Sequence, residues 1–140
     1  MAGTLITLME KIKSVQATID PIKRFVFDDL SQINNDSQNE YPLLLVKPPQ
    51  STFDSIMEYQ IYDVEMYVFD VELSNDVDHW TKKWDACQDH LRRVVQGILA
   101  DRPSYVLVDN TVSIQLAHMQ HNDKLIGAKA SFKLRVYYGC

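Results

Sequence analysis

His118 and His121 are the only histidines in the chain that stand at metal-ligand spacing. A zinc site takes four protein ligands, or three and a water, and the adjoining stretch adds only Asp123. The pair therefore reads as part of a polar turn. Cys87 and His90, three residues apart, have the spacing of a thiolate–imidazole pair on a helix. Cys87 falls between Trp84 and Leu91 in an apolar stripe, however, and a reactive cysteine needs an exposed, electropositive setting. A small core thiol is the better reading. Asp28-Asp29 and the carboxylates Asp63, Glu65, Asp70 and Glu72 are candidates for acid–base work, but no feature of the sequence fixes two of them across a cleft. Gly3, Gly97, Gly127 and Gly139 occur singly, so no phosphate-cradling loop is present. Tyr59, Tyr62, Tyr67 and Phe69 are interleaved with acidic rather than basic side chains, unlike the stacking surface of a single-strand binder. No enzyme motif emerges, and the expectation is a chain without catalytic residues, cofactor or metal.

The chain has 140 residues, 46% apolar and 24% charged, which fits one α+β domain spanning 1–140. A net charge of −5 argues against a protein that grips nucleic acid, as do basic clusters no longer than Lys82-Lys83 and Arg92-Arg93. No apolar run is long enough to span a bilayer. Met1–Met9 lacks the basic start and small-residue cleavage site of a signal peptide. With two distant cysteines, Cys87 and Cys140, this predicts synthesis in a reducing cytoplasm.

These side chains need elements to position them. Leu5, Leu8/Met9, Ile12, Val15 and Ile19 recur with helical period, and Asp20-Pro21 ends that helix. Arg24–Phe27 reads as a short strand, and Ser31–Glu40 as a polar loop. Tyr41-Pro-Leu-Leu-Leu-Val46 reads as a strand buried on both faces and closed by Pro48-Pro49. Glu58–Glu72 is the stretch around which the rest is organised. At about 3.3 Å per residue it would reach roughly 50 Å as one strand. Val64, Met66 and Val68 share one face, whereas Tyr67, Phe69, Val71 and Leu73 share the other. Such a change of parity means a bulge, a bend or burial on both faces.

Trp80, Trp84, Cys87, Leu91, Val94/Val95 and Ile98 then mark a second helix from Asp78 to Ala100, capped by Asp76 or Asp78. Tyr105–Val108 is a short strand or an extended connector. Two alternating runs, Val112–Leu116 and Ala128–Tyr138, flank the polar turn His121–Lys124 and form an antiparallel hairpin. The order α-β-β-β-α-(β)-β-β predicts a single mixed or antiparallel sheet packed against two helices, with one long projecting strand or hairpin.

This order resembles the tail-terminator and tail-completion family of tailed bacteriophages, whose members join the tail to the head. The resemblance rests on the helix Leu5–Ile19, the polar loop into Glu40-Tyr-Pro-Leu-Leu-Leu-Val46, the strand Glu58–Leu73, the helix Trp80–Leu99 and the hairpin Val112–Tyr138. It covers nearly the whole chain as a pattern of elements, without a residue motif. Neck and tail proteins of phages of gut Bacteroidetes, crAss-like ones included, look similar in the Tyr-Pro-apolar strand. The resemblance implies a viral structural protein, made in the host cytoplasm and located in the neck or tail of the virion. It further implies a homo-oligomeric ring, hexamer or dodecamer, around a channel through which DNA passes. Its partners would be a tail-tube protein and head-side connector or neck proteins. Six copies at −5 would give a ring of about −30, and an acidic lumen repels phosphates. Asp63, Glu65, Asp70 and Glu72 are the candidate lumen or interface carboxylates. The alternative is a cytoplasmic α+β module that dimerises or binds a small ligand. The two readings differ at Glu58–Leu73. A ring subunit needs that strand to project, whereas a compact module folds it back near Asp63 or Asp70.

Overall fold

Two helices cover one face of a seven-stranded mixed sheet in the computed structural model, which describes residues 4–27, 41–54, 59–71, 76–101, 104–119 and 125–137. The first helix, α1 (Thr4–Ala17), buries Leu8, Ile12 and Val15 at the spacing that brings them to one face. It stops two residues before the expected Ile19. The next turn tightens, with the Thr18 and Ile19 amides donating to the Val15 and Gln16 carbonyls, and Ile19 and Ile22 still reach the core.

The strands are β1 (Arg24–Phe27), β2 (Leu43–Val46), β3 (Gln50–Asp54), β4 (Tyr59–Val71), β5 (Tyr105–Leu107), β6 (Ser113–Met119) and β7 (Leu125–Tyr137). The order across the sheet is β1-β2-β4-β7-β5, with β3 on β4 beside β2 and β6 on β7 beside β5. Only β1 and β2 run parallel. At the centre, β4 and β7 pair over 13 residues each in unbroken register, from Tyr59 opposite Tyr137 to Val71 opposite Leu125. At about 3.3 Å per residue this ribbon is roughly 40 Å long. Shorter strands line both of its edges.

The second helix, α2 (Val77–Leu99), starts where Asp76 Oδ1 accepts from the Asp78 amide at 3.0 Å. It buries Cys87, Leu91, Val94, Val95 and Ile98. Trp80 and Trp84 sit edge to face at 6.3 Å and are only half-buried, so the aromatic end of the predicted stripe lies at the margin of the core. Where the two helices meet, Gly97 admits Val15, and a Cβ there would overlap Val15 Cγ1.

The parity change in β4 is burial on both faces. Tyr62, Val64, Met66 and Val68 join α1, α2 and the β7 residues Ala128–Val136 of even number in the main core. Tyr67 and Phe69 point the other way into a smaller cluster with Leu43, Leu45 and Leu125. Phe69 lies across Gly127, where a Cβ would overlap the Val68 carbonyl oxygen.

A bulge does occur, but in the neighbouring strands. β2 ends opposite Met66 and β3 begins opposite Asp63, so Lys47-Pro48-Pro49 faces only Val64-Glu65. The two prolines have no amide for the ladder, and the Lys47 amide donates to the Glu65 carbonyl at 3.1 Å. The sequence pattern predicted an ending at Pro48-Pro49 and no strand at Gln50–Asp54. The chain instead resumes pairing past the bulge. The extended stretch at Tyr105 is a true strand, and the loop expected at Ser31–Glu40 lies outside the described residues.

Candidate functional site

The helix-free face of the ribbon carries the charged side chains. Residues directly opposite in an antiparallel pair share a face, so Asp63 and Glu65 of β4 lie beside Lys133 and Ser131 of β7, with Lys129 next along. The bulge adds Lys47 from the other side. Lys47, Asp63, Glu65, Ser131 and Lys133, together with Pro48, Gln50, Val64 and Phe132, line an open cleft of about 540 Å3. Glu65 is shared between two cations: Oε2 lies 3.3 Å from Lys47 Nζ, and Oε1 lies 3.4 Å from Lys129 Nζ. Partial burial pushes the Glu65 carboxyl up, but Lys47 and Lys129 outweigh it and hold the group below its usual value. Asp63 is exposed.

Along the same face, Lys129 Nζ stands 5.8 Å from the Tyr67 ring centre. Arg135 stacks over Tyr59 at 4.5 Å, and Tyr59 meets Tyr137 edge-on at 5.7 Å. The face is therefore graded, from the apolar cluster around Phe69, through compensated charges at Glu65, to an aromatic–guanidinium end. Among the described residues this face holds no nucleophile–base pair.

Of the four candidate carboxylates, the structure brings Asp63 and Glu65 together. Asp70 lies on the helix-covered face, where Oδ2 accepts from Lys83 Nζ of α2 at 2.9 Å and Oδ1 from the Val71 amide at 2.8 Å. Glu72 lies outside the described residues, as do Asp28, Asp29 and His121. Cys87 is buried, and burial, with the nearby Asp70 carboxylate, pushes its thiol up to about 12. His90 is buried too, and desolvation lowers its pKa. No group of three His, Cys, Asp or Glu side chains suited to a metal occurs among the described residues. No described helix is long and apolar enough to cross a membrane.

The cations that compensate Glu65 were missed as functional residues. Lys129, Ser131, Lys133 and Arg135 alternate visibly in the sequence as the polar side of a hairpin. Which carboxylate they face depends on the β4–β7 register, and no local signal encodes that. Compared with protein-family models and with curated proteins, the chain matches none.

Proposed function

We propose that this chain is a non-enzymatic structural subunit that joins copies of itself in a ring at the head–tail junction of a tailed phage, like the tail-terminator family it resembles. The observation that carries this reading is the β4–β7 ribbon. It passes Asp63 and Asp70 without folding back; it does not project as the resemblance led one to expect, being paired with β7 throughout and flanked by β2 and β3, but the short strands along the ribbon leave sheet edges free on both sides among the described residues. A compact ligand-binding domain has no need of such a ribbon, whereas a subunit that meets neighbours on two sides does. Asp63 and Glu65 are the lumen or interface carboxylates of this reading, and Asp70, held by Lys83, serves the fold of its own subunit. Because Lys47, Lys129, Lys133 and Arg135 outnumber Asp63 and Glu65 among the described side chains of this face, it would hold phosphates rather than repel them, which favours a contact between subunits over the channel lining for the two carboxylates. The partners would be the tail-tube and neck proteins, with DNA passing through the ring.

The test is to add the purified chain to phage tail tubes that lack their end protein and to image the tube ends. Capping of one end supports the proposal; ends that stay bare at high protein concentration contradict it. The cleft at Lys47, Asp63 and Lys133 favours a second reading, a module that binds a small zwitterionic ligand. Calorimetry with amino acids and dipeptides checks that reading.

A further inference from the structure

The two sides of the sheet differ in what they leave uncovered. On the β7 side, α2 stops short of covering β6, so Ile114 and Leu116 remain about two-fifths exposed on the helix face. Between α2 and β6 runs a groove of about 310 Å3, lined by Leu91 and Val95 of α2, by Val112 and Ile114, and by Ala130 as its floor. Arg92 is the one charged side chain in its lining. On the opposite side of the sheet, β3 carries Phe53, 70% exposed, at the end of the ribbon away from β6. Phe53 lies opposite Gln60, and Gln60 opposite Val136 of the main core, so Phe53 projects on the same face as Ile114 and Leu116.

We propose that the β3 arm of one copy docks along β6 of the next, with Phe53 seated in the groove between α2 and β6. The occupant is a second copy because the chain carries both halves of the contact, on opposite edges of its sheet, with matching parity. Among the described residues β3 pairs only with β4 and β6 only with β7, so each presents an unpaired outer edge able to extend the other's sheet. Face parity then puts an exposed aromatic against an exposed aliphatic strip, and both leave water. Two different patches meeting head to tail form a heterologous contact, which repeats around a ring or along a filament. The inference deepens the ring reading by naming its interface and can be tested apart from it.

The test uses the full chain carrying Cys140→Ser, with Cys87 left in the core. Phe53→Cys and Ile114→Cys are made separately, then treated with a short bismaleimide, alone and mixed. The expected result is a crosslinked pair only in the mixture, because residue 53 of one copy meets residue 114 of another. In addition, Phe53→Asp should raise the concentration for half-assembly at least tenfold while leaving the thermal midpoint of the unassembled subunit unchanged. Crosslinking of either variant with itself, or assemblies that form without a 53–114 crosslink, would overturn the proposal; the latter leaves the ring reading intact. So would a chain that stays monomeric and uncrosslinked at millimolar concentration. Crosslinked filaments that never close would uphold the contact and contradict the ring.

Discussion

Lys83 of α2 reaches Asp70 of β4 at 2.9 Å, with side-chain exposures of 31% and 18%, and so ties the long helix to the far half of the ribbon. The same carboxylate accepts the Val71 amide at 2.8 Å. A half-buried pair that also satisfies a backbone donor is worth more than an exposed one. Asp70→Ala should therefore lower unfolding free energy by about 1–3 kcal/mol. Lys83→Met, which keeps the aliphatic stem, should cost less. Urea titration of both variants checks the order, and equal losses would show that the ion pair alone matters.

Gly97 and Gly127 respond differently to alanine. At Gly97 the obstacle is the Val15 side chain, which has room to give if shortened, and alanine itself favours the helix by about 1 kcal/mol. Gly97→Ala should be destabilising by about 1–2 kcal/mol, and Val15→Ala should recover part of that loss in the double variant. At Gly127 the obstacle is the Val68 backbone, with the Phe69 ring at 2.8 Å. Gly127→Ala must push β7 from β4, and a loss above about 3 kcal/mol is expected, with no rescue from Phe69→Leu. Thermal unfolding of the four variants measures this.

Acid should weaken the fold in two stages. Burial lowers the His90 pKa, so the folded state favours neutral imidazole. The unfolded chain then binds the proton more readily, and stability that is complete above the ordinary value of 6.5 is lost as pH falls below it. For Glu65, burial raises and the Lys47 and Lys129 contacts lower the pKa more strongly, so the folded state favours the carboxylate. Its contribution is present above the ordinary value of 4.5 and is lost as pH falls through the lowered folded one. Unfolding free energy measured from pH 8 to pH 3 should show the first stage vanish in His90→Leu and the second shrink in Glu65→Gln. Unchanged acid limbs in both variants would contradict the assignments.

Cys87 should behave as an inert core thiol. It is 1% exposed and its pKa is pushed up to about 12. Iodoacetamide at pH 8 should leave it unmodified in the native protein and alkylate it fully in urea. Mass spectrometry of the peptide containing Cys87 reads the result. Rapid native labelling would mean that α2 opens locally.

The elements with strong periodicity were legible in the sequence: both helices, the doubly buried β2, the long strand and the hairpin of β6 and β7. The cap of α2 was legible as a choice between Asp76 and Asp78, because capping is local chemistry, and the structure gives Asp76. β3 was not, since Gln50-Ser-Thr-Phe-Asp54 carries one apolar side chain and follows two prolines. It exists as a strand because β4 offers it an edge, a tertiary cause that propensity does not contain. The candidate carboxylates show the same limit. Parity separated Asp63 and Glu65 from Asp70, but the cations that compensate Glu65 come from Lys47 across a bulge and Lys129 across a register. Neither partner is within local reach in sequence.

Copies of this chain are proposed to assemble through the two edges of its sheet. The most direct test is solution mass by light scattering under reducing conditions over a wide concentration range, with negative-stain images of any large species. A mass near six or twelve times 16.2 kDa and particles with a central hole are expected from that assembly. A mass of one or two chains at every concentration would contradict it.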